Sequence, residues 1–516
     1  SADEDGHGTG MAGLAIWGDL SESLAADRTI TVGHYIESVK LLRHSGDNSE
    51  EHLGVLTADA VSYPEINNPN RTRIHCMAIT AKDSRDRGKP SAWSAEIDSL
   101  AADYLGENET RRLFIISAGN SSGSLTDMAN YPEHSILQDV HDPGQSWNAL
   151  TIGSYTEKNL ITEADAGERQ PLAPRGGISP HSTTSLTWEE GKYPIKPEVV
   201  FEGGNVAVDQ YGCTSIPSLD LLSTHHDLTT RLLTTFNATS ASTALASKFA
   251  AEIYSQYPEF WPETVRGLIV HSAEWTDEMI NQFNPSGSEK RRVLNRLKAV
   301  GYGVPNLERA LWSINNSLSM IIEDSIQPFD KPRGKAIGTR DMHLHNLPWP
   351  VEALANLGEI EVEMSVTLSY FIEPNPSSRI VSGKYSYQSF GLRFDVKRPV
   401  ETIDEFRKRV NRQARDEEEG TSSTTSDPNW LIGPTNRHRG SIHKDVWRGR
   451  AVDLSERGAL IIYPAMGWWK TRTRLERYNK EARYSLIVSI KVQDQDVDIY
   501  SEVLSKTEIA QIVTIS

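Results

Sequence analysis

Three short strings in this chain carry side chains that together could break a peptide bond by acyl transfer. Asp5-Gly6-His7-Gly8-Thr9-Gly10-Met11-Ala12 offers an imidazole, Ile115-Ile116-Ser117-Ala118-Gly119-Asn120 a carboxamide, and Asn237-Ala238-Thr239-Ser240-Ala241-Ser242 an alcohol. A serine hydroxyl is a weak nucleophile until a base takes its proton during attack. That base should be a neutral imidazole within hydrogen-bond reach, and the tetrahedral intermediate needs donors aimed at its new oxyanion. Singly, each string has a plainer reading: a turn histidine, a helix-capping serine, a turn asparagine. The chemistry requires all three to converge from distant positions.

The elements that would position them can be read from local pattern. His7 precedes Met11, Leu14 and Ala15 at helical spacing, and Ser240 precedes Ala241, Ala244, Leu245, Phe249 and Ala250. Both groups therefore fall at helix starts, and the alanine-rich second helix reads as buried, with N–H groups and dipole suited to negative charge. Asn120 follows an apolar strand and projects from its end, where α/β sheets build sites. Residues 1 to about 315 alternate strand-like runs (Ile74–Ile79, Leu113–Ser117, Ala149–Ile152, Val199–Phe201) with helical patterns (Ser94–Leu105, Ser240–Tyr257, Pro262–His271, Arg291–Val300). This is α/β texture. After about residue 325 the period shortens to two, as in Glu359–Tyr370, Tyr385–Val396, Gly458–Tyr463, Arg483–Val492 and Asp496–Val503, which predicts an antiparallel β-sandwich. The polar, acidic stretch 412–429 reads as a mobile loop.

The chain has 516 residues, enough for more than one core, and a formal net charge of −17. That charge argues against a nucleic-acid partner, since phosphate contacts need clustered Lys and Arg. No apolar run approaches the roughly 18 residues of a membrane span, so no membrane partner is expected. The two cysteines, Cys76 and Cys213, read as buried apolar residues in a reducing compartment, and a cytoplasmic location is expected. The chain opens at Ser1 with neither a signal-like segment nor an initiator Met.

The strings His7-Gly8-Thr9-Gly10-Met11-Ala12-Gly13, Ser117-Ala118-Gly119-Asn120 and Ala238-Thr239-Ser240-Ala241-Ser242 resemble, in order, three signatures of the subtilisin-like serine peptidases, the subtilases. Supporting matches are Ser179-Pro180-His181-Ser182, Lys196-Pro197-Glu198-Val199-Val200 and Gly301-Tyr302-Gly303-Val304-Pro305-Asn306. The resemblance implies a subtilisin-like parallel-sheet α/β peptidase domain at 1–325, lacking its N-terminal strand in this chain, followed by the β-sandwich domain at 326–516. It implies a serine endopeptidase with His7 as general base, Ser240 as nucleophile and Asn120 as oxyanion donor. It also implies a polypeptide substrate held as an added strand by Ala78, Ile79 and Thr80 on one side and Ser117, Ala118 and Gly119 on the other.

Three departures from the family pattern stand out. Ala238 replaces a glycine, Ala244 replaces a proline, and no carboxylate upstream of His7 is placed to orient its ring. Only six residues precede His7; Asp5 reads as part of the local turn, and Asp3 and Glu4 are too close in sequence to reach behind the ring. Losing that orientation costs on the order of 10⁴ in turnover. The expected source is an N-terminal fragment of the same precursor, cut near Ser1-Ala2-Asp3-Glu4-Asp5 by self-processing; the competing reading is a truncated chain or an inactive homologue, a crippled pseudo-protease that binds peptides. The string from Lys196 to Asn205 is similar to that of bacterial subtilases paired with an AAA-type ATPase in plasmid-stability or phage-defence systems, which implies such a partner. No cofactor is required on this reading. Ca²⁺ is a candidate ligand, for instance at Asp47-Asn48-Ser49-Glu50, and His343-Leu344-His345 could set two imidazoles on one strand face toward a metal.

Overall fold

A computed structural model describes residues 3–26, 29–42, 47, 52–82, 87–122, 125–189, 191, 193–315, 319–347, 349–376, 386–419, 427–492 and 513–515. The chain divides into two compact units, Ser1–Leu307 and Glu308–Ser516.

In the first unit, β1 (Ile74–Met77), β2 (Leu113–Ser117), β3 (Leu150–Tyr155) and β4 (Val199–Glu202) form one sheet in chain order, parallel throughout. Inner strands covered on both faces read as unbroken apolar runs, and Leu113, Phe114, Ile115 and Ile116 are indeed all buried. Parallel neighbours need a crossover, supplied between β1 and β2 by the helix Ala92–Ala102, whose Ser91 and Ser94 form a capping box. The Lys196-Pro197-Glu198 string acquires a structural meaning. Lys196 Nζ donates to Glu198 Oε1 at 2.5 Å and to the Ala149 carbonyl at 3.0 Å, while Glu198 Oε2 accepts from the Thr151 backbone at 2.8 Å. This fully buried ion pair ties the entry of β4 to β3.

Two helices carry the reactive strings: α1 (His7–Trp17) and α2 (Ala238–Gln256). Leu14 and Ala15 of α1 pack against Ala241 and Ala244 of α2, with Leu221 completing the cluster. Between them runs the hairpin of β5 (Leu221–Thr224) and β6 (Leu233–Phe236). Its Ser223 Oγ donates to the Gly10 carbonyl at 2.6 Å and its Thr224 Oγ1 to the Thr9 carbonyl at 3.0 Å. Gly13 exists for this approach: a Cβ there would lie 2.3 Å from Ser223 Oγ and 2.4 Å from Thr224 Oγ1.

The second unit stacks two antiparallel sheets. One has the order Ser319–Ile326, Ala482–Val492, Glu361–Tyr370, Ile442–Arg450; the other Gly391–Val396, Ala459–Ala465, Met342–Asn346, Val513–Ile515. Along Glu361–Tyr370, Val362, Met364, Val366 and Leu368 are buried on one face, as the alternating pattern requires. The expected strand at Tyr385–Val396 forms from Gly391, with residue 385 outside the described residues. That at Asp496–Val503 lies wholly outside them.

The stretch read as a loop at 412–429 is different in the structure. A helix, α3, spans Ile403–Glu419; residues 420–426 lie outside the described residues, and 427–429 enter a turn. Its composition cannot fill a core, but a surface helix needs only one apolar stripe. Phe406 and Val410, four apart, supply it by docking on Leu344, Ala459, Ile461 and Tyr463.

Replacing Gly13 by alanine gains about 1 kcal/mol of helix propensity, whereas overpacking at a rigid hydrogen-bonded contact costs about 1–3 kcal/mol. Denaturant unfolding of Gly13→Ala should therefore show a net loss of stability; a gain would mean the hairpin yields freely.

Candidate active site

The fold brings His7 and Ser240 together across 233 positions, with His7 Nε2 3.1 Å from Ser240 Oγ. His7 starts α1 after Gly6, whose φ of 83° turns the chain into the helix. Ser240 is the third residue of α2 and is buried. Its backbone N–H belongs to the first turn, where helix donors have no intrahelical acceptor. Asn120, beyond the end of β2, reaches the same turn: its Oδ1 accepts from the Thr239 N–H at 3.1 Å and from Thr239 Oγ1 at 2.6 Å. With Oδ1 held there, the Nδ2 donors point away from Thr239, on an exposed residue.

Several contacts fix the approach to Ser240. The Ala238 N–H donates to the Gly203 carbonyl at 2.7 Å. Asn237 Nδ2 donates to Asp220 Oδ1 at 2.9 Å, and burial pushes the Asp220 carboxyl up to about 6. Ala238 itself sits at φ 67°, the left-handed region that costs a non-glycine residue about 1–2 kcal/mol. The departure noted at this position is thus real strain, located one residue before Thr239-Ser240.

His7 is exposed on one side, but its ring lies against Phe236, with centroids 5.5 Å apart. Partial desolvation holds its pKa below the ordinary 6.5, against the opposing pull of Asp5 and Asp3. Those two carboxylates serve the backbone. Asp5 accepts from the His7 N–H at 3.1 Å, and Asp3 from the Gly6 N–H, the Thr9 N–H and Thr9 Oγ1. Among the described residues no carboxylate hydrogen-bonds to His7 Nδ1.

The six residues expected to hold a substrate backbone lie at the ends of neighbouring strands. Ala78, Ile79 and Thr80 run past the last β1–β2 pair, Met77 with Ile116. Ser117 ends β2, followed by Ala118 and Gly119. The Ala118 N–H donates to Ile152, and its carbonyl accepts from the His141 N–H and Thr183 Oγ1. Those Ala118 groups are therefore already occupied by protein. His141 was not legible in the sequence. It bridges the two segments, its Nδ1 3.2 Å from Thr80 Oγ1 and its ring packed so close to Gly119 (φ 92°) that a Cβ there would meet it at 2.3 Å. Phe236 and the Asp220–Asn237 pair were missed for the same reason, because no local pattern marks them.

The metal candidates fare differently. His343 Nδ1 and His345 Nε2 each lie 2.8 Å from the Tyr484 hydroxyl, and Asp324 Oδ2 lies 3.0 Å from His343 Nδ1. The two imidazoles share a face as expected, but they converge on a phenol from the opposite sheet. Asn48, Ser49 and Glu50 lie outside the described residues. Among the described residues no group of three or more His, Cys, Asp and Glu side chains could hold a metal ion. Cys76 is exposed and Cys213 half-buried, both free thiols rather than buried core residues. No described helix is long and apolar enough to cross a membrane.

Residues 1–303 match the Subtilase family, Peptidase S8, which is more than half of the 516 residues. The chain belongs to the subtilase family. It is similar to the uncharacterized protein y4bN of Sinorhizobium fredii, 26% identical over 342 residues that cover 63% of this chain and 72% of that protein. Among solved structures it is similar to sphericase (17% identity, 53% of this chain, 70% of that chain, TM-score 0.32). It is also similar to a lanthipeptide protease (19% identity, 61% and 77% covered, TM-score 0.34). The subtilase assignment therefore rests on the family match.

Two outcomes follow from this geometry. The neutral imidazole of His7 should persist below pH 6.5, so the rate at which a fluorophosphonate labels Ser240 should fall only as pH drops through a midpoint under that value. Phe236→Ala, which rehydrates the ring, should move that midpoint upward; a parental midpoint at or above 6.5 contradicts the desolvation account. A β-branched side chain fits the left-handed region poorly, so Ala238→Val should lose roughly 1–3 kcal/mol in thermal unfolding and slow labelling as well.

Proposed function

We propose that this subtilase is a serine endopeptidase acting through an acyl-enzyme on Ser240. The observation that carries the reading is the 3.1 Å contact between His7 Nε2 and Ser240 Oγ. His7 takes the Ser240 proton as Oγ attacks the scissile carbonyl, then returns it to the leaving amine. Asn120 Nδ2 and the Ser240 N–H receive the oxyanion, supported by the way Thr239 holds the opposite end of the Asn120 amide. The substrate lies extended beside residues 78–80 and 117–119, an added strand in which the Ala118 N–H and carbonyl, already bonded within the fold, take no part. No cofactor takes part in these steps.

The carboxylate that orients His7 comes, on this reading, from a strand of polypeptide outside the given sequence. Two observations support it. His7 Nδ1 has no carboxylate partner among the described residues, and β1 is the outermost strand of its sheet there. Cys76 of β1 lies against the Thr243 carbonyl of α2, 3.9 Å away. A strand paired to the outer edge of β1 would thus pass close to the helix that carries Ser240. The finer placement, a cytoplasmic effector of a bacterial defence or plasmid-stability pair with an AAA-type ATPase, rests on the string from Lys196 to Asn205; co-purification of such an ATPase tests it.

A His7 Nδ1 that no described carboxylate meets also favours a second reading, a peptide-binding pseudo-protease. Fluorophosphonate labelling of the natively purified protein separates the two. Labelling of Ser240 that disappears in Ser240→Ala supports the peptidase. An intact mass revealing a bound fragment, with Ser240 still unlabelled, overturns the peptidase and leaves the binding module. Addition of a peptide carrying the orienting strand to the isolated chain should raise turnover, up to about 10⁴-fold, the scale of triad orientation.

A further inference from the structure

We infer that the C-terminal unit binds a phosphorylated small molecule of about nucleotide size in a basic cleft beside α3. The cleft has a volume of about 630 Å³, within the range of pre-formed ligand sites. Arg340, Arg407, Arg415 and Lys470 line it, the half-buried Ile337 and Met342 add apolar surface, and no lining residue among those described is a carboxylate. Four cations share this cavity although the protein carries a net charge of −17.

The electrostatics of α3 distinguish these arginines from structural ones. Arg409, on the same helix, is held by Asp395 at 2.6 Å and Glu401 at 2.8 Å. Arg437, Arg448 and Arg457 of the same unit are likewise paired with carboxylates. In the cleft, Arg407 has only a distant neighbour in Asp404, at 3.7 Å, and its Nε–H is buried with no hydrogen-bond partner among the described residues. Arg415 forms no ion pair among them. Arg340 approaches Asp341 at 3.5 Å and otherwise contacts the neutral Gln327. The ion-paired Arg457 also buries an Nε–H without a partner, so what sets Arg407 and Arg415 apart is the lack of a close carboxylate, which leaves their charge for an incoming anion.

The chemistry of that acceptor follows from charge and shape. Guanidinium forks match phosphate oxygens two at a time, and several cations suit a group bearing two or more negative charges better than a single carboxylate. A bare inorganic anion would leave the half-buried Ile337 and Met342 side chains of the cleft in water, so the phosphate should be carried on a planar or apolar body. Arg407, Asn411 and Arg415 recur at four-residue intervals on one face of α3, which lets one ligand meet all three.

Calorimetric titration of the full chain tests the assignment, with ADP, inorganic pyrophosphate and adenosine as probes. ADP should bind most tightly, pyrophosphate more weakly and adenosine not measurably. Arg415→Gln, a change at an exposed position that the fold tolerates, should weaken ADP binding about tenfold, and its combination with Arg407→Gln about a hundredfold. Arg412→Gln, outside the cleft, should bind as the parent does. Absence of ADP binding at about 1 mM, equal affinity for adenosine and ADP, equal affinity for pyrophosphate and ADP, or parental affinity in Arg415→Gln would each overturn the inference.

Discussion

The contact between His7 and Ser240 depends on two helices meeting across surfaces nearly devoid of side-chain bulk. The start of α1 offers Gly10 and Gly13, and the start of α2 offers Ala241 and Ala244. A hairpin fills the remaining gap and hydrogen-bonds to the carbonyls of Thr9 and Gly10. Any larger side chain at this seam would push a helix outward, and an ångström of displacement is enough to lose a proton-transfer geometry. The small residues that make the two strings conspicuous are therefore the packing condition for the chemistry between them.

The same seam concentrates strain and burial. Ala238 holds a left-handed backbone immediately before Thr239-Ser240. Asp220, pushed up to about 6 by burial, receives the Asn237 amide one residue earlier. Asn120 closes the other side by accepting two bonds from Thr239. With the Ala238 N–H also bonded to the Gly203 carbonyl, the turn is tied to three different parts of the first unit, and such over-determination is what allows an unfavourable backbone to persist at a functional site. Preorganised donors at this point require no reorganisation when charge develops.

The second unit works by a different logic. Its two sheets are closed by large apolar side chains, and some interior polar groups meet across the interface, as His343, His345, Tyr484 and Asp324 do. Two imidazoles on one strand face are compatible with a metal or with a shared phenol, and the choice depends on what the facing sheet presents. Here it presents Tyr484. The helix Ile403–Glu419 follows the same rule: Phe406 and Val410 are a weak signal alone, yet they suffice once Leu344 and Ile461 offer a surface.

Local sequence determined the chemistry on offer and most regular elements. The apolar run Leu113–Ser117, the alanine-rich helix after Asn237, the alternation along Glu361–Tyr370 and the three reactive strings were all legible, because side-chain period and backbone preference act over a few residues. Tertiary structure alone decided which groups meet. That His7 reaches Ser240, that His141 bridges Thr80 and Gly119, and that Arg407 and Arg415 share a cleft with Arg340 are contacts between segments distant in sequence or packed from different elements. Such contacts are fixed by the packing of whole helices and sheets, whose energy is spread over many residues, and no short string encodes it.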